Sequence, residues 1–329
     1  MFAVPSSTSL RGTSMSNPNL PIRGTRWSQL WTYVNHVATT FFSEDLDEKI
    51  LKEAHDFVPS VSHQYPSDFP SPANNTPEAK QMRIIAVNSI IATALTRHIF
   101  QPIGIDKAFA TAVSNMAHTN PDMEAFYRSS HLAVLDNLPD YRLSVVSRAT
   151  KAAVAEILAF VGCILNDGNK KEFKACIEDI CKRADSEWQV YQRYGERYEV
   201  DMHGNKACYD HAPLWKPSKG DTFRSNGTAK APSPGPSQNG QKTEHAEVKA
   251  SSAAIVASVW PLLKVVGIGG TVPKISGLAL FSDQTRRAEE QVMRENRKAS
   301  REESKQEDRK SGKRPLSLGA YLQSSPKIA

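Results

Sequence analysis

Cysteine is scarce in this chain, with four in 329 residues. Disulfide frameworks belong to short, cysteine-dense secreted chains, so that kind of scaffold is excluded. Cys163, Cys176 and Cys181 sit in helical, partly apolar stretches and read as small buried hydrophobes in a reducing compartment. Long hydrophobic runs are missing too. The best candidates, Ala152–Leu165 (interrupted by Glu156) and Ala253–Ile268 (interrupted by Pro261 and Lys264), are too short to span a bilayer as helices. The N-terminal residues lack the apolar stretch of a secretory signal. No acidic residue precedes Glu44, while Arg11, Arg23 and Arg26 lie among serines and threonines, a composition shared with organelle transit peptides. Pro5, Pro18 and Pro21 break any amphipathic helix there, so residues 1–25 read as a disordered leader. The expected setting is intracellular, nucleus or cytoplasm, with the mitochondrion as the lesser alternative.

Motifs that carry chemistry are equally sparse. Gly267-Ile268-Gly269-Gly270 follows an apolar stretch, but the third glycine of a dinucleotide fingerprint is missing, as is any Gly-Lys-Ser/Thr. The run therefore reads as a flexible turn. His203, Cys208 and His211 fall within nine residues, near Asp201 and Asp210, yet the second ligand couple of a structural zinc site is absent. No Gly-x-Ser-x-Gly turn offers a nucleophile. The expectation is no cofactor, no metal and no catalytic residue. An enzyme of unrecognised type would need a pocket gathering His36, His98, His118 or His131 with a cysteine or carboxylate.

Charge excludes little. Lys and Arg number 41 against 35 Asp and Glu, a net +6 and a pI near 9.0. Most basic residues have acidic neighbours, whereas dedicated nucleic-acid binders concentrate positive charge on one face. Apolar residues make up 40% of the chain and mean hydropathy is −0.46, with 20 prolines. That is below the roughly 45–50% of a compact chain, so part of it is expected not to fold.

What is present is helical periodicity. Trp27, Leu30, Trp31, Val34, Val37, Ala38 and Phe41 follow the spacing of one helix face. A second helix is expected from Ser43 as cap to Phe57, then an extended proline-containing loop from Pro59 to Pro77. Thr76 as cap and Pro77 at the first position open a third, with Ile84, Val87, Ile91, Leu95 and Ile99 as its stripe. Further helices are expected around Asp106–His118, from Asn120 to about Leu138, from Asp140 to Leu165, and from Lys170 to Val200. The half from Ala152 to Leu165, apolar on nearly every side, suits the centre of a bundle. The fold class is all-α: an irregular multi-helix bundle spanning 27–200, with a disordered N-terminus, linker and C-terminal tail.

Beyond it, 216–250 reads as a disordered linker of Gly, Ser, Pro, Asn and Lys. Residues 251–281 read as a short docking segment that lays its Trp260 face on the bundle or on a partner. Residues 282–310 suit a solvated charged helix, with pairs such as Glu290 and Arg294, and 311–329 a disordered tail. The Trp27-x-x-x-Trp31 helix, helical body, linker, Val259-Trp260-Pro261 and charged helix together resemble uncharacterised fungal proteins; the resemblance implies no function and no site residues.

The functional expectation is a non-enzymatic protein-interaction or regulatory protein with a protein partner, contacted through Val259, Trp260, Leu262 and Leu263. On this reading Trp260→Ala weakens a partner contact and leaves helical content intact. The alternative is a nuclear protein touching nucleic acid through its tail, where Lys313-Arg314-Pro315 beside Arg309-Lys310 has the composition of an import signal. Interleaved glutamates and the lack of an aromatic in 282–310 count against it.

Overall fold

The computed structural model describes residues 21–51, 74–102, 107–213 and 254–310. Seven helices of thirteen residues or more, a helical stretch at 48–51 and six strands are placed among them. The helices are α1 (Pro21–Phe42), α2 (Pro77–His98), α3 (Lys107–Thr119), α4 (Pro121–Asp136), α5 (Pro139–Val161), α6 (Lys170–Gln192) and α7 (Ser282–Lys310). The strands are β1 (Arg197–Asp201), β2 (Tyr209–His211), β3 (Ile255–Trp260), β4 (Leu262–Gly267), β5 (Gly270–Ile275) and β6 (Gly277–Phe281). Residues 1–20 of the expected leader, the loop and helix positions from 52 to 73, the linker 216–250 and the tail 311–329 lie outside the described residues. Residues 21–25, expected as leader, form the start of α1.

Helix α2 is the centre of the molecule. Thr76 accepts a hydrogen bond from the Ala79 N–H, Pro77 sits at the first position, and thirteen residues from Ala79 to Leu95 are buried. It packs against α1, α5 and β3. The apolar half of α5, expected at the centre, instead leaves Ala155 and Ala159 exposed and buries only Ala153, Val154, Ile157 and Val161. Small alanines made that stretch look apolar all round while supplying one packed face.

The all-α expectation holds in part: the protein is mainly helical and carries in addition two small sheets. One has the order β1-β4-β5, all antiparallel; the other has the order β2-β6-β3, with β2 parallel and β3 antiparallel to β6. The helix expected to run from Lys170 to Val200 stops at Gln192, and β1 begins at Arg197. Tyr198 thus joins the core from a strand and lies tilted against Tyr191 at 5.3 Å between ring centroids.

The sheets are joined by single-residue corners. Pro261 separates β3 from β4, and Ser276 separates β5 from β6, so the chain passes directly from one sheet to the other twice. Proline suits a corner because it has no N–H to place in a ladder. At the second corner a Cβ on Gly277 would lie 2.4 Å from the Tyr209 ring and 2.8 Å from the Trp260 carbonyl oxygen, so only glycine fits. The Gly267-to-Gly270 run is the hairpin turn between β4 and β5, with Gly270 at φ +107°.

Core packing joins helices and sheets into one body. Trp27, Trp31 and Trp260 meet at 5.5 and 5.6 Å between ring centroids, and Trp27 also touches Phe100 and Tyr191. Ser89 of α2 donates to the Ser258 carbonyl of β3 at 2.6 Å. Buried Asn88 bonds Asn35 of α1 at 2.8 Å, and Trp188 donates its indole N–H to the Gln101 carbonyl at 3.0 Å. Helix α7 packs on α2 and β6 through Thr285 and Ala288, then continues from Asn296 with every described side chain exposed.

Candidate functional site

The four side chains expected to meet a partner point inward. Val259, Trp260, Leu262 and Leu263 are between 0% and 2% exposed. Strand alternation explains where each goes. Trp260 and Leu263 enter the main core, Val259 packs with Met82, Ile85 and Ala288, and Leu262 packs with Tyr209, Ala279 and Phe281. A partner could reach them only by displacing α1, α2 or the sheet neighbours. The zinc-like residues also separate: His203 follows β1, Cys208 lies in a single 3-10 turn, and His211 stacks on Phe281 at 4.3 Å. Among the described residues no three His, Cys, Asp or Glu side chains converge on one point. Of the four histidines weighed for an enzyme, His98 meets a carboxylate, its Nε2 standing 2.6 Å from Glu156, which also accepts from Arg97 at 2.6 Å.

The unusual element is α4. Its Glu124 is buried at 1% and its Arg128 at 5%, while four of its six large apolar residues face water, Met123 at 43%, Phe126 at 64%, Tyr127 at 44% and Val134 at 56%, and only Leu132 and Leu135 turn inward. A surface helix ordinarily does the reverse. The inversion follows from what lies beneath it. Arg128 grips Glu124 with Nε at 2.9 Å and Nη2 at 3.1 Å, both two residues of the same face at i,i+4. Its Nη1 donates to the Gln192 and Tyr194 carbonyls, and its Nη2 to the Gly195 carbonyl at 3.2 Å. These are carbonyls at and just beyond the end of α6, which the helix itself cannot satisfy. Arg197 of β1 then donates to Glu124 at 2.9 Å and to Glu199 at 3.2 Å. Glu199 also accepts from Ser114 of α3 at 2.7 Å, and Lys264 of β4 stands 3.8 Å from Glu199 and 3.3 Å from Asp201. Alternating charges thus bolt α4 to α6, β1, α3 and β4.

Burial would raise the Glu199 carboxyl, but the Ser114 hydrogen bond, the Arg197 charge and hydrogen bond and the Lys264 charge outweigh it and hold it below its ordinary value. A lowered folded-state pKa means stability that is present at neutral pH and lost as pH falls through that lowered value. We expect the urea midpoint to fall as pH drops below about 4.3, the usual glutamate value, and to fall less steeply in Glu199→Gln. Equal acid sensitivity in the two proteins would rule out this role for Glu199.

A cavity of about 650 Å³ lies beside the bolt, walled by Phe100, Trp188 and Tyr198, with Arg97, Ser114, Arg197 and Glu199 at its polar side. Arg197, Glu199 and Ser114 are already bonded to one another, and Arg97 to Glu156, so the charges on its wall are matched within the protein. The opposite situation holds on α4 and the start of α5, where Leu138 is 49% exposed, Tyr141 49% and Leu143 67% in addition to the four exposed apolar residues of α4. Beneath this hairpin the packing is thin, a small cluster of Leu132, Leu135 and Val145. Asp136, at its tip, accepts from Arg193 at 2.8 Å and Arg142 at 2.7 Å; the hydrogen bond from Arg193 foremost holds its carboxyl below the usual range.

The sequence offers Met123, Phe126, Tyr127, Val134 and Leu135 as the apolar residues of this helix, and the outward stripe formed by the first four is not separable there from the buried Leu135. What hid it was that the pattern of an outward face is identical to that of an inward one. No protein-family model, curated protein or solved structure matches the chain. No helix among the described residues is long and apolar enough to cross a membrane.

Proposed function

We propose that this protein acts by binding another protein, and that the contact surface is the solvent face of α4 with the start of α5. The observation that carries the reading is the partly inverted helix: a Phe, a Met, a Tyr and a Val stand in water, while a Glu–Arg pair shares the buried face with Leu132 and Leu135. Contiguous exposed apolar patches of several hundred Å² mark binding surfaces, and aromatic anchors of this kind dominate interface energies. The α4 backbone is fixed by the ionic bolt, so the face is preorganised and little ordering cost falls on binding. This places the interaction on a different surface from Val259–Leu263, whose side chains are occupied within the core.

Photo-crosslinking in the native cell tests it. A benzophenone side chain at exposed Ser130, mid-face on α4, is expected to give discrete protein adducts, and one at exposed Ala159 on α5 is not. Adducts absent from Ser130, or identical from both positions, would remove the reading.

A further inference from the structure

We infer that the partner of the α4 face is a second copy of this chain, packed antiparallel across a two-fold axis at Ser130; the inference rests on the interaction reading above. Between Asp122 and Asp136 the exposed residues of α4 carry no charge, since Glu124 and Arg128 are both buried. Two such faces can meet without like-charge repulsion and without leaving an ion unpaired. The face is also divided by size. Met123, Phe126 and Tyr127 fill its first half, whereas Ser129, Ser130 and Ala133 occupy its second half ahead of Val134.

Antiparallel pairing centred on Ser130 uses that division. Phe126 of one copy falls opposite Val134 of the other, Tyr127 opposite Ala133, and Ser130 opposite itself, so each bulky ring meets a smaller neighbour. A parallel arrangement would set ring against ring and leave the small half empty. Two-fold pairing is the commonest way for a chain to close on itself, and it requires this kind of self-complementary patch. Antiparallel alignment also opposes the helix dipoles favourably. With side chains of about 150–250 Å² each, the exposed apolar residues of α4 and the start of α5 leave on the order of 700 Å² accessible. A standard interface buries roughly 800 Å² on each partner, so the patch has the size of a dimer contact rather than of a small-molecule site.

The test is sedimentation equilibrium on the full chain across a range of micromolar concentrations. The expected mass is twice 36.3 kDa at the upper end. Ser130→Arg puts two guanidinium groups against each other at the axis and is expected to weaken association at least tenfold, with the far-UV circular dichroism unchanged because the position is exposed. Ser130→Cys should form an intermolecular disulfide under mild oxidant in excess of the wild-type chain, since the two-fold brings equivalent positions together. A protein that stays monomeric throughout, or a dimer indifferent to Ser130→Arg, overturns self-pairing. If Ser130 photo-crosslinks in cells nonetheless give adducts of other masses, the interaction reading survives that failure; if they give none, both fall.

Discussion

Glu124→Gln is expected to lower unfolding stability by about 3–5 kcal/mol, the cost of leaving buried charge without its counter-ion. Two guanidinium groups, Arg128 and Arg197, share this one carboxylate, and all three side chains are at most 10% exposed. Solvent screening, which reduces exposed ion pairs to nearly nothing, does not apply here. An amide at position 124 keeps the shape but leaves two buried cations facing one another. Arg197→Gln should cost less, because the Arg128–Glu124 pair stays neutral and Glu199 keeps Lys264 and Ser114. Urea denaturation monitored by circular dichroism measures both. A loss under about 1 kcal/mol for Glu124→Gln would mean that water or rearrangement satisfies the arginines, and that the bolt does not hold α4.

The same variant connects stability to the proposed surface. Helix α4 has little apolar packing beneath it, so the ionic contacts are what fix its orientation. Once they are cut, amide exchange over 121–136 should quicken before that of α2, because local opening needs only the loss of the local contacts. A face that can rotate loses its preorganisation, and association should weaken even though no residue of the face has changed.

How far the sequence disclosed this arrangement differs by element. The helices of the body were legible from periodicity and caps, most plainly Thr76 and Pro77 opening α2. The strands were not, although Ile255–Trp260 and Leu262–Gly267 are rich in β-branched residues and a glycine turn joins β4 to β5. Short apolar runs do not distinguish strand from buried helix by periodicity alone, and Pro261 between them reads as a break when it is a corner. Pairing added a second obstacle. The partner of Val200 is Leu263, across a long stretch of Gly, Ser and Pro, and nothing local to either segment announces the other. Glu124 and Arg128 posed a third difficulty. An i,i+4 Glu–Arg pair is the usual mark of a solvated face, so their burial could be known only once the end of α6 and β1 were in place.

Trp260→Ala tests where that tryptophan belongs. On the sequence alone its removal was expected to weaken a partner contact and spare the fold. Its position in the structure leads to the opposite result. The side chain is 1% exposed and wedged against Trp27 and Trp31, at the corner where the chain leaves one sheet for the other. Large-to-alanine changes at such sites cost about 3–5 kcal/mol, from lost transfer energy and the cavity left behind. Typical domains have only about 5–15 kcal/mol in all, so a large share of the stability would go. Its indole N–H has no acceptor among the described residues, so the loss is one of packing and not of hydrogen bonding. Trp260→Phe should therefore retain most of the stability that Trp260→Ala loses, since it keeps an aromatic ring against Trp27 and drops an unpaired donor. Should Trp260→Ala unfold at the wild-type urea concentration, the residue would not be a core position, and a partner contact at Val259–Leu263 would have to be considered again.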